Sequence, residues 1–135
     1  MTDKELMLAA LQARQKSYSP YSNFKVGAAL LTKGGEIYTG CNIENAAYTP
    51  TNCAERTAVF KAVSEGKTEF DSIAIVGGKG DTLNDICAPC GVCRQVLAEF
   101  CTGDFRIVMG APDNITVCTL DELLPYSFGK SNLEQ

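Results

Sequence analysis

The sequence predicts an α/β fold of three layers, with a mixed five-stranded sheet and helices on both of its faces. Three observations carry this reading. Val26 to Leu31 is a nearly unbroken apolar run, as expected of a strand covered on both sides. Lys33-Gly34-Gly35 then turns the chain back into a hairpin, which makes that pair antiparallel. Farther on, strand, helix, strand, helix and strand alternate, a pattern whose crossovers set strands parallel and lay helices against the sheet.

The elements follow in order. Residues 3–17 read as a helix, with Leu6, Ala10 and Ala13 on one stripe and Met7 and Leu11 beside it. Tyr18-Ser19-Pro20-Tyr21-Ser22-Asn23 breaks it. After the strand at 26–31, Glu36 to Gly40 forms the returning arm of the hairpin. A polar loop, Asn42 to Asn52, leads to a helix at about 53–65, whose buried stripe is Ala58, Val59, Ala62 and Val63 and whose stop is Gly66. Ile73 to Val76 is the third strand, and a loop from Gly77 runs to Pro89. A helix at about 91–101 turns Val96, Leu97, Phe100 and Cys101 inward. Strands at about 106–110 and 115–118 and a short helix from Asp121 to Leu124 complete the pattern.

Composition narrows the function. With 135 residues the chain is expected to be one domain, 1–135, large enough for a real core. A net charge of −4 and no long basic run disfavour a nucleic-acid backbone as partner, because that needs a dense cationic face. A small, neutral or weakly charged substrate fits better. No apolar leader and no membrane-length stretch are seen, so the expectation is a cytoplasmic protein without a membrane partner. Seven cysteines, an odd number, argue against a fully paired disulfide framework.

The chemistry lies in a split pair of motifs, Cys53-Ala54-Glu55 and Pro89-Cys90-Gly91-Val92-Cys93. Cys53, Cys90 and Cys93 all fall at predicted helix N-termini, which stabilise negative charge and lower thiol pKa. Three cysteines can hold one zinc ion and leave its fourth position open, and a glutamate two residues from one of them can move protons there. The chain has no histidine, so such a site must be built from thiolates. Other readings stand beside this one. Cys90-x-x-Cys93 alone is compatible with a redox pair or two buried thiols, and Cys87 with Cys90 makes an overlapping Cys-x-x-Cys. Asn52-x-x-Glu55 has the form of a capping box, in which Glu55 only bonds back to the helix start. Residues two apart on a helix point to nearly opposite sides, so Cys53 and Glu55 can share a site only off the helix end. Arg56 could offset thiolate charge from outside the ligand set, whereas Arg94 reads as a solvated helix residue.

These motifs occur together with Tyr21-Ser22-Asn23-Phe24-Lys25-Val26-Gly27-Ala28-Ala29-Leu30, Gly40-Cys41-Asn42-Ile43-Glu44-Asn45-Ala46-Ala47-Tyr48, and Arg56, Arg94 and Gln95. In this combination the chain resembles the small homotetrameric zinc-dependent cytidine deaminases over residues 5–128. The resemblance implies a cytidine-deaminase-like α/β/α domain with one Zn2+ per chain, held by Cys53, Cys90 and Cys93. It implies Glu55 as catalytic proton shuttle and Arg56 bonding to ligand sulfurs. It places Phe24 in the pocket, Asn42 and Glu44 on the ribose hydroxyls, and the Ala54 backbone on the base carbonyl. Tyr48 joins the substrate-binding set at a subunit contact, and Phe128 completes a neighbour's pocket. Taken residue by residue, Phe24 equally suits a core, Asn42 and Glu44 suit turn positions, and Phe128 suits a cover for its own domain.

The implied activity is hydrolytic deamination of cytidine and 2′-deoxycytidine to uridine and 2′-deoxyuridine with release of ammonia, in pyrimidine salvage. The implied assembly is a homotetramer with shared active sites. Two alternatives remain: a deaminase of a modified cytosine nucleoside, of the blasticidin type, and a non-catalytic zinc or redox module.

Overall fold

The computed structural model describes residues 1–134. Thr2 starts the first helix with a reciprocal cap: its hydroxyl accepts from the Glu5 amide, and its own amide donates to the Glu5 carboxylate. Helix α1 then runs Asp3–Arg14, three residues shorter than the periodicity suggests. The reason is non-local. The Ser17 hydroxyl donates to the Asn42 side-chain carbonyl and the Tyr18 amide to the Asn42 backbone carbonyl, which draws the chain off the helix path. Strands β1 (Phe24–Thr32) and β2 (Ile37–Cys41) form the expected hairpin, with Gly27 opposite Cys41 and Leu31 opposite Ile37.

Helix α2 (Ala54–Ser64), strand β3 (Phe70–Lys79), helix α3 (Gly91–Phe100), strands β4 (Arg106–Ala111) and β5 (Asn114–Thr119), and short helices α4 (Leu120–Leu123) and α5 (Lys130–Leu133) follow. The last of these has no counterpart in the sequence reading. The sheet order is β2-β1-β3-β4-β5. Parallel pairing occurs where α3 carries the chain from β3 to β4, with Ile73 beside Ile107. Strand β1 lies antiparallel to both β2 and β3. The α2 crossover therefore joins two strands of the same direction that are not neighbours, and the sheet is mixed.

Both sheet faces are covered, because alternate residues of each strand face opposite ways. Leu6, Met7 and Ala10 of α1 pack on Ala29, Ala74, Val76 and Val108. On the opposite face Ala54, Ala58, Val59, Ala62 and Leu97 pack on Ala28, Leu30, Ile73, Ile75 and Ile107. Val63, Val96, Phe100 and Cys101 are half-buried at the margin of this second core. Helices α2 and α3 thus lie on one face with their N-termini near each other, which is the arrangement the split motif requires.

Strand β3 extends beyond its predicted end through Gly77 and Gly78, which pair with Val26 and Lys25. These glycines read as a turn from sequence alone. Their real role is close approach. A Cβ on Gly77 would lie 2.7 Å from the Cys87 sulfur, because the 80–90 connection folds back over the strand end.

Candidate active site

Helix α2 begins at Ala54 with Cys53 as its N-cap, and α3 begins at Gly91 with Cys90 as its N-cap. Neither cysteine side chain accepts a capping bond from the backbone amides of its own helix. Cys53 has extended backbone angles (φ −76°, ψ 155°), so its side chain is free of the helical projection that would separate it from Glu55. The three sulfurs converge. Cys53 Sγ lies 3.6 Å from Cys90 Sγ, Cys90 Sγ lies 3.5 Å from Cys93 Sγ, and all three fall within 4.8 Å of one another. Tetrahedral zinc at about 2.3 Å from each sulfur would hold them roughly 3.8 Å apart. The spacing and donor set therefore fit a zinc ion. Cys87 is outside this group, which settles the overlapping Cys-x-x-Cys in favour of Cys90 and Cys93.

Charge at the triad is unevenly distributed. A hydrogen bond from Cys93, together with others from Arg56 and Cys90, holds the Cys53 thiol down at about 5 against the opposing effect of burial. Cys93 is pushed up, first by donating to Cys53 and then by burial. The triad without metal is one thiolate that attracts neighbouring protons, and a divalent cation would take their place. Arg56 donates from Nη2 to Cys53 Sγ at 3.3 Å, and the thiolate raises the Arg56 pKa further.

Glu55 is 4% exposed, and its Oε1 has no hydrogen-bond partner. Burial pushes its pKa up to about 7, and the Cys53 charge adds to the shift. The capping-box reading fails here. The helix starts one residue later than that motif needs, and the Asn52 backbone amide donates instead to the Ile43 carbonyl. A buried carboxyl with an unpartnered oxygen is a candidate for chemistry.

Glu55 and Ala54 open onto a pocket of about 240 Å3 that is also lined by Phe24, Val26, Asn42, Glu44, Cys53, Cys87 and Cys90, among others. A second hollow of about 290 Å3, bounded by Tyr21, Asn45 and Tyr48, adjoins it through Ser22, Glu44 and Thr51. Together they reach the size of small-molecule clefts, roughly 300–1,000 Å3. Asn42 is fixed to β1: its Oδ1 accepts from the Val26 amide at 3.0 Å and its Nδ2 donates to the Phe24 carbonyl at 2.8 Å, which leaves one amide hydrogen over. Glu44 accepts from the Tyr21 and Ser22 amides and from the Ser22 hydroxyl, and these bonds, that hydroxyl first, hold its carboxyl below the usual range.

Sequence reasoning thus brings together Cys53, Cys90, Cys93, Glu55, Arg56, Ala54, Phe24, Asn42 and Glu44, with Tyr48 in the adjoining hollow. Phe128 does not join them. It is 60% exposed on the tail, where its carbonyl accepts from Gln95. Arg94 is not a solvated helix residue. It is half-buried and donates to the Pro89 and Leu123 carbonyls at 2.8 and 2.6 Å, so it braces the residue before Cys90. Cys87 and Ser22 also line the pocket, although the sequence offers Cys87 only as part of an overlapping Cys-x-x-Cys and Ser22 only within the 21–30 segment. The Cys87 thiol lines the pocket as a neutral group, pushed up to about 11 by burial.

Residues 1–110 match the family described as cytidine and deoxycytidylate deaminase zinc-binding region. The chain is 48% identical over 134 residues to a cytidine deaminase of Sporosarcina psychrophila, covering 98% of this chain and 96% of that one. It is similar to the crystal structure of cytidine deaminase from Burkholderia pseudomallei, with TM-score 0.87 and 46% identity over 95% of this chain and all of that one. Similarity to a blasticidin-S deaminase of Bacillus cereus is more distant, 30% over 96% of this chain and 94% of the other.

Proposed function

The chain belongs to the cytidine and deoxycytidylate deaminase family, zinc-dependent hydrolases that deaminate cytidine, and from that premise we propose residue roles for the reaction here. One observation carries the proposal: three convergent sulfurs stand beside a buried carboxyl with an unpartnered oxygen, and Glu55, Cys53 and Cys90 line one pocket. Cys53, Cys90 and Cys93 would hold zinc, which when bound supplies the Lewis acid that makes water a nucleophile at neutral pH.

Glu55 does the proton work. Its carboxylate accepts one proton from the attacking water and delivers it to N3 of the cytosine ring, then takes the second from the hydroxyl now on C4 and gives it to the amine that leaves. Cytidine and water thereby become uridine and ammonia. Desolvation suits Glu55 to this exchange, because a carboxyl that titrates near neutrality can both take and return a proton. The Ala54 amide lies in the first turn of α2, whose N–H groups have no partner within the helix, so it is available to the base carbonyl. Phe24 packs on the base. The remaining hydrogen of Asn42 and the ionised Glu44 engage the ribose hydroxyls. Arg56 offsets thiolate charge at Cys53.

The substrate is an uncharged nucleoside, cytidine or 2′-deoxycytidine. No lysine or arginine lines either hollow, and the anionic Glu44 repels a phosphate group. The chain works as one domain, 1–135, in a homotetramer, with Tyr48 at a subunit contact and Phe128 closing a neighbouring pocket. The exposure of both rings supports that reading. A cytoplasmic setting in pyrimidine salvage fits seven unpaired cysteines. Among the described residues, no helix is long and apolar enough to cross a membrane. Ammonia release from cytidine, 2′-deoxycytidine, cytidine 5′-monophosphate and blasticidin S tests the assignment. The two nucleosides should be turned over and the nucleotide refused. Preference for the nucleotide or for blasticidin S would overturn it.

A further inference from the structure

The pocket has two walls from separate parts of the chain. Phe24 and Val26 come from the start of β1, whereas Cys87 comes from the connection that leads to Cys90. Arg14, the last residue of α1, bonds to both parts. Its Nε donates to the Lys25 carbonyl at 2.9 Å. Its Nη2 donates to the carbonyls of Gly78, Gly80 and Thr82 at 2.9, 2.8 and 3.0 Å. No carboxylate pairs with this guanidinium among the described residues. All of its recorded bonds go to backbone oxygens on either side of the junction.

The 78–84 turn has further ties here. The Gly80 amide donates to the Asn23 carbonyl and the Asn84 amide to the Gly77 carbonyl. Beyond this turn, the Cys87 sulfur packs on Gly77 and lies close to where a Cβ there would meet Val26. The position of Cys87 in the pocket thus depends on where the turn rests on β1. The Arg14 charge also reaches the Cys87 thiol, partly offsetting its upward shift.

We propose that Arg14 is a positioning residue for the substrate pocket: its guanidinium ties the start of β1 to the 78–82 turn and so sets the gap between Phe24 and Cys87. That this gap receives the cytosine rests on the deaminase reading above. Lysine cannot replace the arginine, because a single ammonium lacks the planar fork that spans carbonyls in two directions.

The test compares zinc-loaded wild type with Arg14→Lys and Arg14→Ala in three measurements: steady-state kinetics on cytidine, the Kd of uridine by calorimetry, and hydrogen exchange at the Gly80 and Asn84 amides. Loosening the wall should raise KM and the uridine Kd about ten-fold in Arg14→Lys, the scale of one lost charged hydrogen bond. It should leave kcat within about two-fold, since Arg14 makes no bond to α2, which carries Glu55. The two amides should exchange faster in both variants. A purely structural role would lower the active fraction instead, so kcat per total protein would fall at unchanged KM and Kd, and that result overturns the proposal. If the wild-type chain released no ammonia, the deaminase reading would fail. The exchange data would then still decide the role of Arg14, upholding it if acceleration is confined to this turn and overturning it if there is none.

Discussion

Two side chains at the metal site respond to their surroundings in ways that experiment can read. In the metal-free protein, burial raises the Glu55 carboxyl from about 4.5 to about 7. Below 4.5 the group is protonated both folded and unfolded. As pH rises from 4.5 to 7 the unfolded chain ionises first, so stability falls across that window. Metal-free Glu55→Gln should therefore unfold at nearly the wild-type temperature at pH 4.5 and be more stable above pH 7, by on the order of 3 kcal/mol. Calorimetry at the two pH values checks this, and a gap that does not change with pH would contradict it. Arg56 acts through its bond to Cys53 Sγ. Arg56→Gln leaves the thiolate charge uncompensated, so a chelator should strip zinc faster and the acidic limb of the pH–activity profile should move upward. Unchanged zinc release and an unchanged profile would return Arg56 to a packing role.

At the scale of elements, the site depends on where two helices start, and the support comes from beneath. Gly40 of β2 is buried under α2, and a Cβ there would lie 2.5 Å from the Ala54 carbonyl and 2.6 Å from the Ala58 nitrogen. Those are backbone atoms of the first two turns and cannot swing aside. Gly40→Ala should lift the N-terminus of α2, cost about 1–3 kcal/mol in thermal unfolding, and weaken zinc retention because Cys53 moves with the helix. Thr2→Ala removes the cap of α1 far from the motifs and should cost about 1 kcal/mol with KM unchanged. The starts of α2 and α3 were legible in the sequence because Cys53, Pro89 and Cys90 mark them locally. The end of α1 was not, since Ser17 leaves the helix for a partner at Asn42. The end of β3 was missed for a related reason: Gly77 and Gly78 resemble a turn until the chain that crosses them is known. Glu55 could not be separated from a capping residue by spacing alone, because a one-residue shift of the helix start decides between the roles. Arg94 and Arg14 owe their roles to carbonyls brought in by the fold.

At the scale of the molecule, the layers bring a thiol triad, a buried carboxylate and a pocket wall into one place, although their residues span positions 22 to 93. Phe128 lies outside this convergence, as does Tyr126, which is fully exposed. In the proposed tetramer Phe128 would complete a neighbour's pocket. Reassembled mixtures of Glu55→Gln and Phe128→Ala subunits should then regain activity that neither variant has alone, because a mixed pocket can combine the intact residues. No rescue after proven subunit mixing would argue against a shared pocket. The central claim is narrower: the triad holds the metal while Glu55 moves the protons. The most direct test is ammonia release from cytidine by Glu55→Gln protein shown by metal analysis to contain zinc. Turnover should fall by at least about 10²–10⁴-fold with zinc retained, the usual worth of a positioned proton donor and acceptor. Near-wild-type turnover by that zinc-replete protein would contradict the account.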